Sequence, residues 1–220
     1  SELSFASDIS YADPLSDVDL DVVFTHENGA SLKVPAFWRG TNQWMVRFAP
    51  THSGEWTYET ICSDESNSGL HEQTGSLYCQ DYEGDLDIYR HGFVKTYPGK
   101  RYFTYADSTP FFYLGDMQCN FAANSFENFK TIIDKRIEQG FTVIQTEPLE
   151  IGYILSNGLT SSDLYYLSRL DERVQYMADK GLVHANSQLV FVSELGYNRD
   201  KFPDAYLEKL CRYWVARYGA

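Results

Sequence analysis

The sequence has few basic residues. Eighteen Lys and Arg stand against 31 Asp and Glu, which gives a formal net charge of −13 over 220 residues. A field of that sign repels phosphate backbones, so the composition argues against a nucleic-acid partner. No apolar run is long enough to cross a membrane, so we expect no membrane partner. The first four residues lack both a basic region and an apolar segment, so no signal peptide is visible, although one removed earlier would leave no trace.

Cysteine is also scarce, and it lacks the spacing of a metal site. The four cysteines (Cys62, Cys79, Cys119 and Cys211) show no CxxC pair, and the five histidines do not cluster, so we predict no metal. A Ser-His-Asp signature and a glycine-rich phosphate loop are missing as well, so we expect no cofactor. Cys62 and Cys79 both fall in predicted strands. A disulfide between them is one alternative, and two buried thiols are the favoured one.

Aromatic residues, by contrast, are plentiful at 16% of the chain, and many lie in short alternating segments within residues 1–88. Strands are predicted at 17–26, 32–38, 43–49, 55–62 and 75–79, with Pro35 indicating an edge strand. Short strands with turn signals every 8 to 12 or so residues are typical of a β-sandwich, so residues 1–88 are predicted to form an Ig-like β-sandwich. Trp38, Trp44 and Trp56 either stack on sugars or fill the core, and the core is favoured.

The spacing of apolar residues changes in residues 89–220, where helical periodicity appears between short strands. A hairpin is predicted within 93–105, and then strands (111–114, 141–146 and part of 182–191) alternate with amphipathic helices (126–137, about 161–180 and about 203–218). Ser125 is the predicted N-cap of the first of these helices. Gly140 and Gly181 end the first two helices and lead directly into strands, and Gly219 repeats that junction. Three βα units are too few to close an eight-stranded barrel, so we expect the polypeptide to have been cut short.

The stretch 110–118 organises this second region. Phe111 to Leu114 form an unbroken apolar run, which suits a strand buried on both faces of a parallel sheet. Asp116 would then lie in the loop after that strand, where parallel α/β folds carry their chemistry. The alternative is that Asp116 caps the next turn or accepts backbone hydrogen bonds there. The spacing does not decide between the two.

Several motifs together resemble a known family. Trp44-x-Val46-Arg47-Phe48-x-Pro50 and Gly54-Glu55-Trp56-Thr57-Tyr58 resemble a β-sandwich module at the N-terminus of certain glycoside hydrolases. His91-Gly92-Phe93-Val94, the stretch 111–116 and Lys135-Arg136-x-x-x-Gly140-Phe141-x-Val143-Ile144-Gln145 resemble the start of the catalytic barrel of apiosidase-like glycoside hydrolases. The sequence departs from the family at Met117 and Gln118, where a threonine and a nearby aromatic residue are usual, so the sugar contacts there are expected to differ.

The resemblance implies a (β/α)₈ TIM-type barrel that hydrolyses glycosidic bonds in plant or bacterial polysaccharides. Such hydrolysis needs two carboxyl groups that flank the bond. In barrels of this type these groups typically follow the fourth and seventh strands, so we expect the catalytic pair beyond residue 220 and an inactive chain. An incomplete barrel is expected to expose apolar edges that favour self-association.

Polar residues after the predicted strands are candidates for a carbohydrate-binding rim. They are Asp116, Gln118, Gln145, Glu147 and Glu194. Carboxylate and amide groups suit sugar hydroxyls because they accept, or both donate and accept, hydrogen bonds. Solvent-exposed structural roles are the alternative for Gln145 and Glu147. The rival function is a carbohydrate-binding or scaffold protein in which the sandwich is the active part.

Overall fold

The computed structural model describes residues 1–119, 124–147, 159–186 and 204–219. The chain divides into two compact units. The first holds the described residues of Ser1–Asp81, Tyr153–Leu164 and Ser193–Ala220, and the second holds those of Tyr82–Gly152 and Tyr165–Val192. The domain boundary near residue 88 stays a prediction. None of the helices in the described ranges is both long and apolar enough to cross a membrane.

Thirteen strands and five helices are described. The strands are β1 (Glu2–Ala6), β2 (Leu20–His26), β3 (Ser31–Pro35), β4 (Phe37–Gly40), β5 (Gln43–Arg47), β6 (Gly54–Cys62), β7 (Thr74–Cys79), β8 (Lys95–Thr96), β9 (Phe103–Thr104), β10 (Pro110–Phe111), β11 (Gly115–Cys119), β12 (Val143–Glu147) and β13 (Val183–Asn186). The helices are α1 (Pro14–Asp17), α2 (Asp87–Arg90), α3 (Phe126–Glu138), α4 (Ser161–Asp179) and α5 (Asp204–Tyr218).

Two antiparallel sheets form most of the first unit, in the orders β1-β5-β4 and β3-β2-β6-β7. The single strand predicted over 32–38 is wrong, because this segment forms β3 and β4, which belong to different sheets. Pro35 is the last residue of β3, and the Ala36 amide donates to the Leu20 carbonyl at 2.8 Å before the chain enters the other sheet. The predicted edge position of Pro35 is confirmed. The pairing of β1 with β5 was not foreseen.

Alternating apolar residues from both sheets fill one core. In β2 the side chains of Leu20, Val22 and Phe24 are fully buried, and the residues between them are less buried. The ring of Phe24 stacks on that of Phe48 with centroids 3.8 Å apart. Trp44 and Trp56 are 3% and 0% exposed, so they are core residues and offer no free face to a sugar ring.

Cys62 and Cys79 are two free, buried thiols. Cys79 pairs with Gly54 at one end of β6, whereas Cys62 is the last residue of the same strand. Eight residues of extended chain separate the two positions by roughly 27 Å, which is far too long for a disulfide. Of the two alternatives drawn from the sequence, the buried thiols are therefore the one that the structure shows.

A parallel sheet of order β11-β12-β13 and a small antiparallel sheet of order β10-β9-β8 characterise the second unit. The predicted N-cap of α3 is confirmed, because the Ser125 hydroxyl accepts a hydrogen bond from the Asn128 amide at 3.3 Å. Gly140 and Gly181 have φ values of +80° and +78°, which confirms their predicted role as helix-ending glycines.

The strand predicted over 111–114 is wrong. Phe112 is 73% exposed and Tyr113 is 43% exposed, so the run is not buried on both faces. Phe111 instead pairs with Phe103 in the antiparallel sheet. The Thr142 hydroxyl donates to the Phe112 carbonyl at 2.6 Å and accepts from the Leu114 amide at 3.0 Å, which holds the run as a link into β11. Asp116 therefore lies inside a parallel strand and not in the loop after one.

Candidate functional site

The carboxyl ends of β11, β12 and β13 meet at one edge of the parallel sheet. The backbone register aligns Gln118 with Thr146 and Thr146 with Asn186. One step earlier it aligns Met117 with Gln145 and Gln145 with Ala185. This register brings residues from three distant segments into two short rows, and this edge is where parallel α/β proteins bind ligands.

Asp116 is held by an arginine of the helix that follows its strand. Nε of Arg136 donates to Oδ2 of Asp116 at 2.7 Å, and the side chains are 30% and 22% exposed. The amide of Gln118 donates to the same Oδ2. Arg136 also donates to Oε1 of Gln139 at 2.9 Å and lies over the ring of Phe141. The carboxylate thus takes part in a defined structural network in this unit.

Alternation along the strands separates the predicted site residues onto two faces. Asp116 and Gln118 share the face that carries α3, because Arg136 of α3 reaches Asp116. Gln145 lies opposite Met117 in the register, so it belongs to the other face. Asp116 and Gln118 come together with each other but not with Gln145, and their role in substrate binding stays a prediction.

A partly buried histidine lies on the α3-bearing face. Nε2 of His184 is 2.7 Å from the hydroxyl of Thr146 on the neighbouring strand. Burial lowers the pKa of His184 from 6.5 to about 4, because removing the ring from water disfavours its charged form. The imidazole is therefore neutral at physiological pH, and its hydrogen bond with Thr146 joins β12 to β13.

The opposite face of the sheet is largely apolar and carries Gln145. Val143, at the start of β12, packs in a cluster with Tyr105 and Phe111 of the antiparallel segment. Further along the same face Met117 is 49% exposed and Gln145 is partly buried. This face is thus covered by the aromatic cluster at the amino end of the strands, and Met117 is its most exposed side chain among those that the structure describes on β11 and β12.

Of two further predicted site residues, one is described only by its strand position and the other is not described. Glu147 is the last residue of β12, at the register position of Cys119. Glu194 lies outside the described residues. Within the described residues, no group of three or more His, Cys, Asp or Glu side chains could hold a metal ion.

Sequence reasoning missed Thr146 and Asn186. Thr146 is fully buried, and Asn186, which ends β13, is exposed. Asn186 could have been found as the polar residue that closes the third predicted strand, had the end of that strand been located. Thr146 gave no signal, because its place beside His184 depends on the register between two strands.

Two known protein families match separate parts of the chain. Residues 1–63 match a family described as a domain of unknown function, DUF5060. Residues 97–220, which include the whole parallel sheet, match the family described as "Apiosidase-like, catalytic domain". None of the curated proteins compared with the chain matches it.

A solved structure has a similar fold. It is the crystal structure of a protein from Bacteroides vulgatus ATCC 8482 that is described as a "putative glycoside hydrolase", with a TM-score of 0.65 and 20% identity. The match covers 84% of this chain and 39% of the other, so this chain spans less than half of that protein's length. Because the catalytic-domain family matches more than half of the residues, the chain belongs to the apiosidase-like family.

Proposed function

We propose that the chain is the N-terminal part of a glycoside hydrolase that acts on glycosidic bonds of plant or bacterial polysaccharides. In this proposal the two antiparallel sheets form an Ig-like β-sandwich, and the parallel strands with α3 and α4 begin a (β/α)₈ TIM-type barrel. The observation that carries the proposal is the catalytic-domain match over residues 97–220, which contains the sheet edge that gathers the polar rows.

The substrate rim is best assigned to the face of the sheet that does not carry α3. Gln145 is partly buried toward the carboxyl end of this face, and its amide can donate to one sugar hydroxyl and accept from another. Glu147 follows it at the strand end. Asp116 is better suited to positioning, because its Oδ2 is already bound by Arg136 and Gln118.

The catalytic pair is assigned to other strands. Two catalytic carboxyl groups must stand about 5 Å apart for retention or roughly 6.5–9.5 Å apart for inversion. On β11 and β12 the acidic residues are Asp116, which is paired with Arg136, and Glu147, which stands three register positions further along at the end of β12. We therefore expect this chain to bind a sugar at its sheet edge without hydrolysing it.

One observation favours a second candidate function, carbohydrate binding by the first unit. Tyr78 of β7 is 73% exposed and lies opposite Glu55 on the neighbouring strand. An exposed ring beside a carboxylate could stack on a sugar and accept its hydroxyl hydrogens. This alternative assigns binding to a different unit, so single substitutions can separate the two.

The test is calorimetric titration of the 220-residue chain with a panel of plant and bacterial oligosaccharides. The proposal expects Gln145→Ala to weaken binding about tenfold, which corresponds to one lost polar contact of roughly 1.4 kcal/mol. Gln175→Ala, which removes the same amide from an exposed site on α4, is the matched control and should leave affinity unchanged. Loss of binding in Tyr78→Ala with Gln145→Ala unaffected would establish the alternative.

The second measurement is an assay for hydrolysis, in which reducing sugar released by the 220-residue chain is quantified. We expect none with aryl glycosides or with the oligosaccharides that bind. Hydrolysis that disappears in Glu147→Gln would contradict the placement of the catalytic pair on other strands. Absence of binding to every sugar in the panel would contradict the proposed rim.

A further inference from the structure

Helix α5 lies within the catalytic-domain match, but it packs on the sheets formed by residues 1–81. Residues 204–218 fall within the catalytic-domain match, whereas the first unit in which the helix lies consists mostly of strands from residues 1–81. It packs against β3, β4, β5 and the short helix α1, and its Arg212 reaches Leu20 and Asp21 of β2, so the catalytic-domain segment supplies a helix to the N-terminal sheets.

The apolar side of α5 is covered by these sheets. Leu210, Tyr213, Trp214 and Ala216 are all less than 7% exposed. The Tyr213 ring meets the Phe37 ring edge-on with centroids 6.0 Å apart, and its hydroxyl donates to the Trp38 carbonyl at 3.0 Å. Burial of several large side chains is the largest favourable contribution that such a contact can make.

A line of opposite charges fixes the direction of the helix on the sheet. Nζ of Lys209 lies 2.6 Å from Oδ2 of Asp19, and Nε of Arg212 lies 3.2 Å from Oδ1 of the same residue. Arg212 also reaches Oδ1 of Asp21 and donates to the Leu20 carbonyl at 3.1 Å. The basic residues stand one turn apart on α5, and the two aspartates flank the first residue of β2.

The carboxyl end of α5 is tied by two arginines. Nη1 of Arg47 in β5 donates to the backbone carbonyl of Arg217. A cation at the last carbonyls of a helix is favourable, because these groups have no partner within the helix. Arg217 is 2% exposed, lies over the Phe37 ring and donates to the Tyr213 hydroxyl at 2.8 Å.

We propose that the N-terminal module is an intramolecular docking surface whose partner is the amphipathic, basic helix α5. The apolar contact, the aspartates beside Leu20 and the Arg47 cap together recognise three separate features of that helix. The role of the module is thus to complete the packing of a segment of the catalytic domain. This inference stands apart from the proposed sugar site, since it uses none of the residues at the sheet edge.

Native-state hydrogen exchange on the whole chain tests the proposal. Val22→Ala removes two methyl groups from the core of the first unit and should raise exchange in β6 and α5 together by about tenfold or more. Ile133→Ala makes an equally buried change in α3 of the second unit and should raise exchange there while leaving α5 unchanged. Exchange in α5 that follows Ile133→Ala and ignores Val22→Ala would overturn the proposal.

A charge exchange gives a second measurement that does not depend on core stability. Arg212→Asp should raise exchange in α5 selectively, because it places a third acidic group beside Asp19 and Asp21. The double variant Arg212→Asp with Asp21→Arg should recover part of that loss. Glu59→Arg, on an exposed position of β6, is the control for a change of charge and should leave α5 unaffected. Equal effects of Arg212→Asp and Glu59→Arg would overturn the proposal.

Discussion

Asp116 and Arg136 join β11 to the helix that follows it, with Nε of the arginine 2.7 Å from Oδ2 of the aspartate. A residue that the sequence makes a candidate for ligand contact is therefore also a link within the βα unit. Both side chains are partly exposed, so the pair can contribute to stability without the full desolvation cost of a buried ion pair.

Removing this arginine should destabilise the fold. We expect Arg136→Met to lower the free energy of unfolding by about 1–2 kcal/mol, because Asp116 loses a charge-assisted hydrogen bond. Urea unfolding followed by circular dichroism measures the change. Lys135→Met, whose ion pair with Glu138 is 63% and 65% exposed, is the control, and we expect a change within about 0.5 kcal/mol. Equal losses in the two variants would contradict the structural role of Arg136.

Acid should destabilise the protein through His184. Its folded-state pKa of about 4 lies below the ordinary 6.5, so between these pH values the unfolded chain binds a proton that the folded chain does not. The free energy of unfolding should therefore fall as pH decreases from 6.5 toward 4, by up to roughly 3 kcal/mol from this group. Urea unfolding at several pH values measures the slope.

A pair of histidine variants isolates that contribution. His184→Gln should flatten the slope between pH 6.5 and 4, whatever its effect at neutral pH. His52→Gln changes an exposed histidine and should leave the slope as it is. A slope that persists in His184→Gln would show that other groups cause the acid sensitivity.

The cysteines should differ in reactivity. Burial raises the pKa of the Cys62 and Cys79 thiols, whereas Cys211 is exposed. Because the thiolate is the reactive form, iodoacetamide should modify Cys211 before Cys62 and Cys79 in the folded protein, and urea should make these three cysteines react at similar rates. Peptide mass mapping follows each site. A melting temperature that falls on addition of a reductant would contradict the free state of Cys62 and Cys79.

Truncating the central tryptophan should be costly. Trp56 is fully buried, and its indole N–H donates to the His52 carbonyl at 3.0 Å, so Trp56→Ala should lower the free energy of unfolding by about 3–5 kcal/mol. Tyr78→Ala removes another aromatic ring from the same sheet at a 73% exposed position, and we expect a change within about 0.5 kcal/mol. Comparable effects of the two substitutions would contradict the core assignment of Trp56.

The sequence predicted elements well where the pattern was local. Alternation in 17–26 and 55–62 indicated β2 and β6, and the glycines at 140 and 181 marked the junctions from helix to strand. The aromatic run at 111–114 misled because a continuous apolar run looks the same whether its side chains are buried or exposed. The parallel strand begins only at Gly115, where the composition is no longer strongly apolar.

The candidate site was only partly predictable for a different reason. The choice of polar residues after the predicted strands made Gln118 and Gln145 candidates, but the faces on which they lie depend on where each strand starts. The sequence predicted the strand at 111–114, whereas β11 begins at Gly115, so the face on which Asp116 lies could not be predicted. The contact of Thr146 with His184 and the contact of Lys209 with Asp19 join residues 38 and 190 positions apart, and no local pattern encodes them.

The packing of α5 also constrains how this protein can change over generations. Modules at the ends of enzymes are often exchanged between genes as independent pieces. Here Lys209 pairs with Asp19 and Arg212 with Asp21. The ring of Tyr213 packs on that of Phe37. A foreign module joined at the N-terminus would leave the basic and aromatic side of that helix without its counterparts. The two sequence regions are thus expected to be inherited as one piece, with substitutions on one side matched by substitutions on the other.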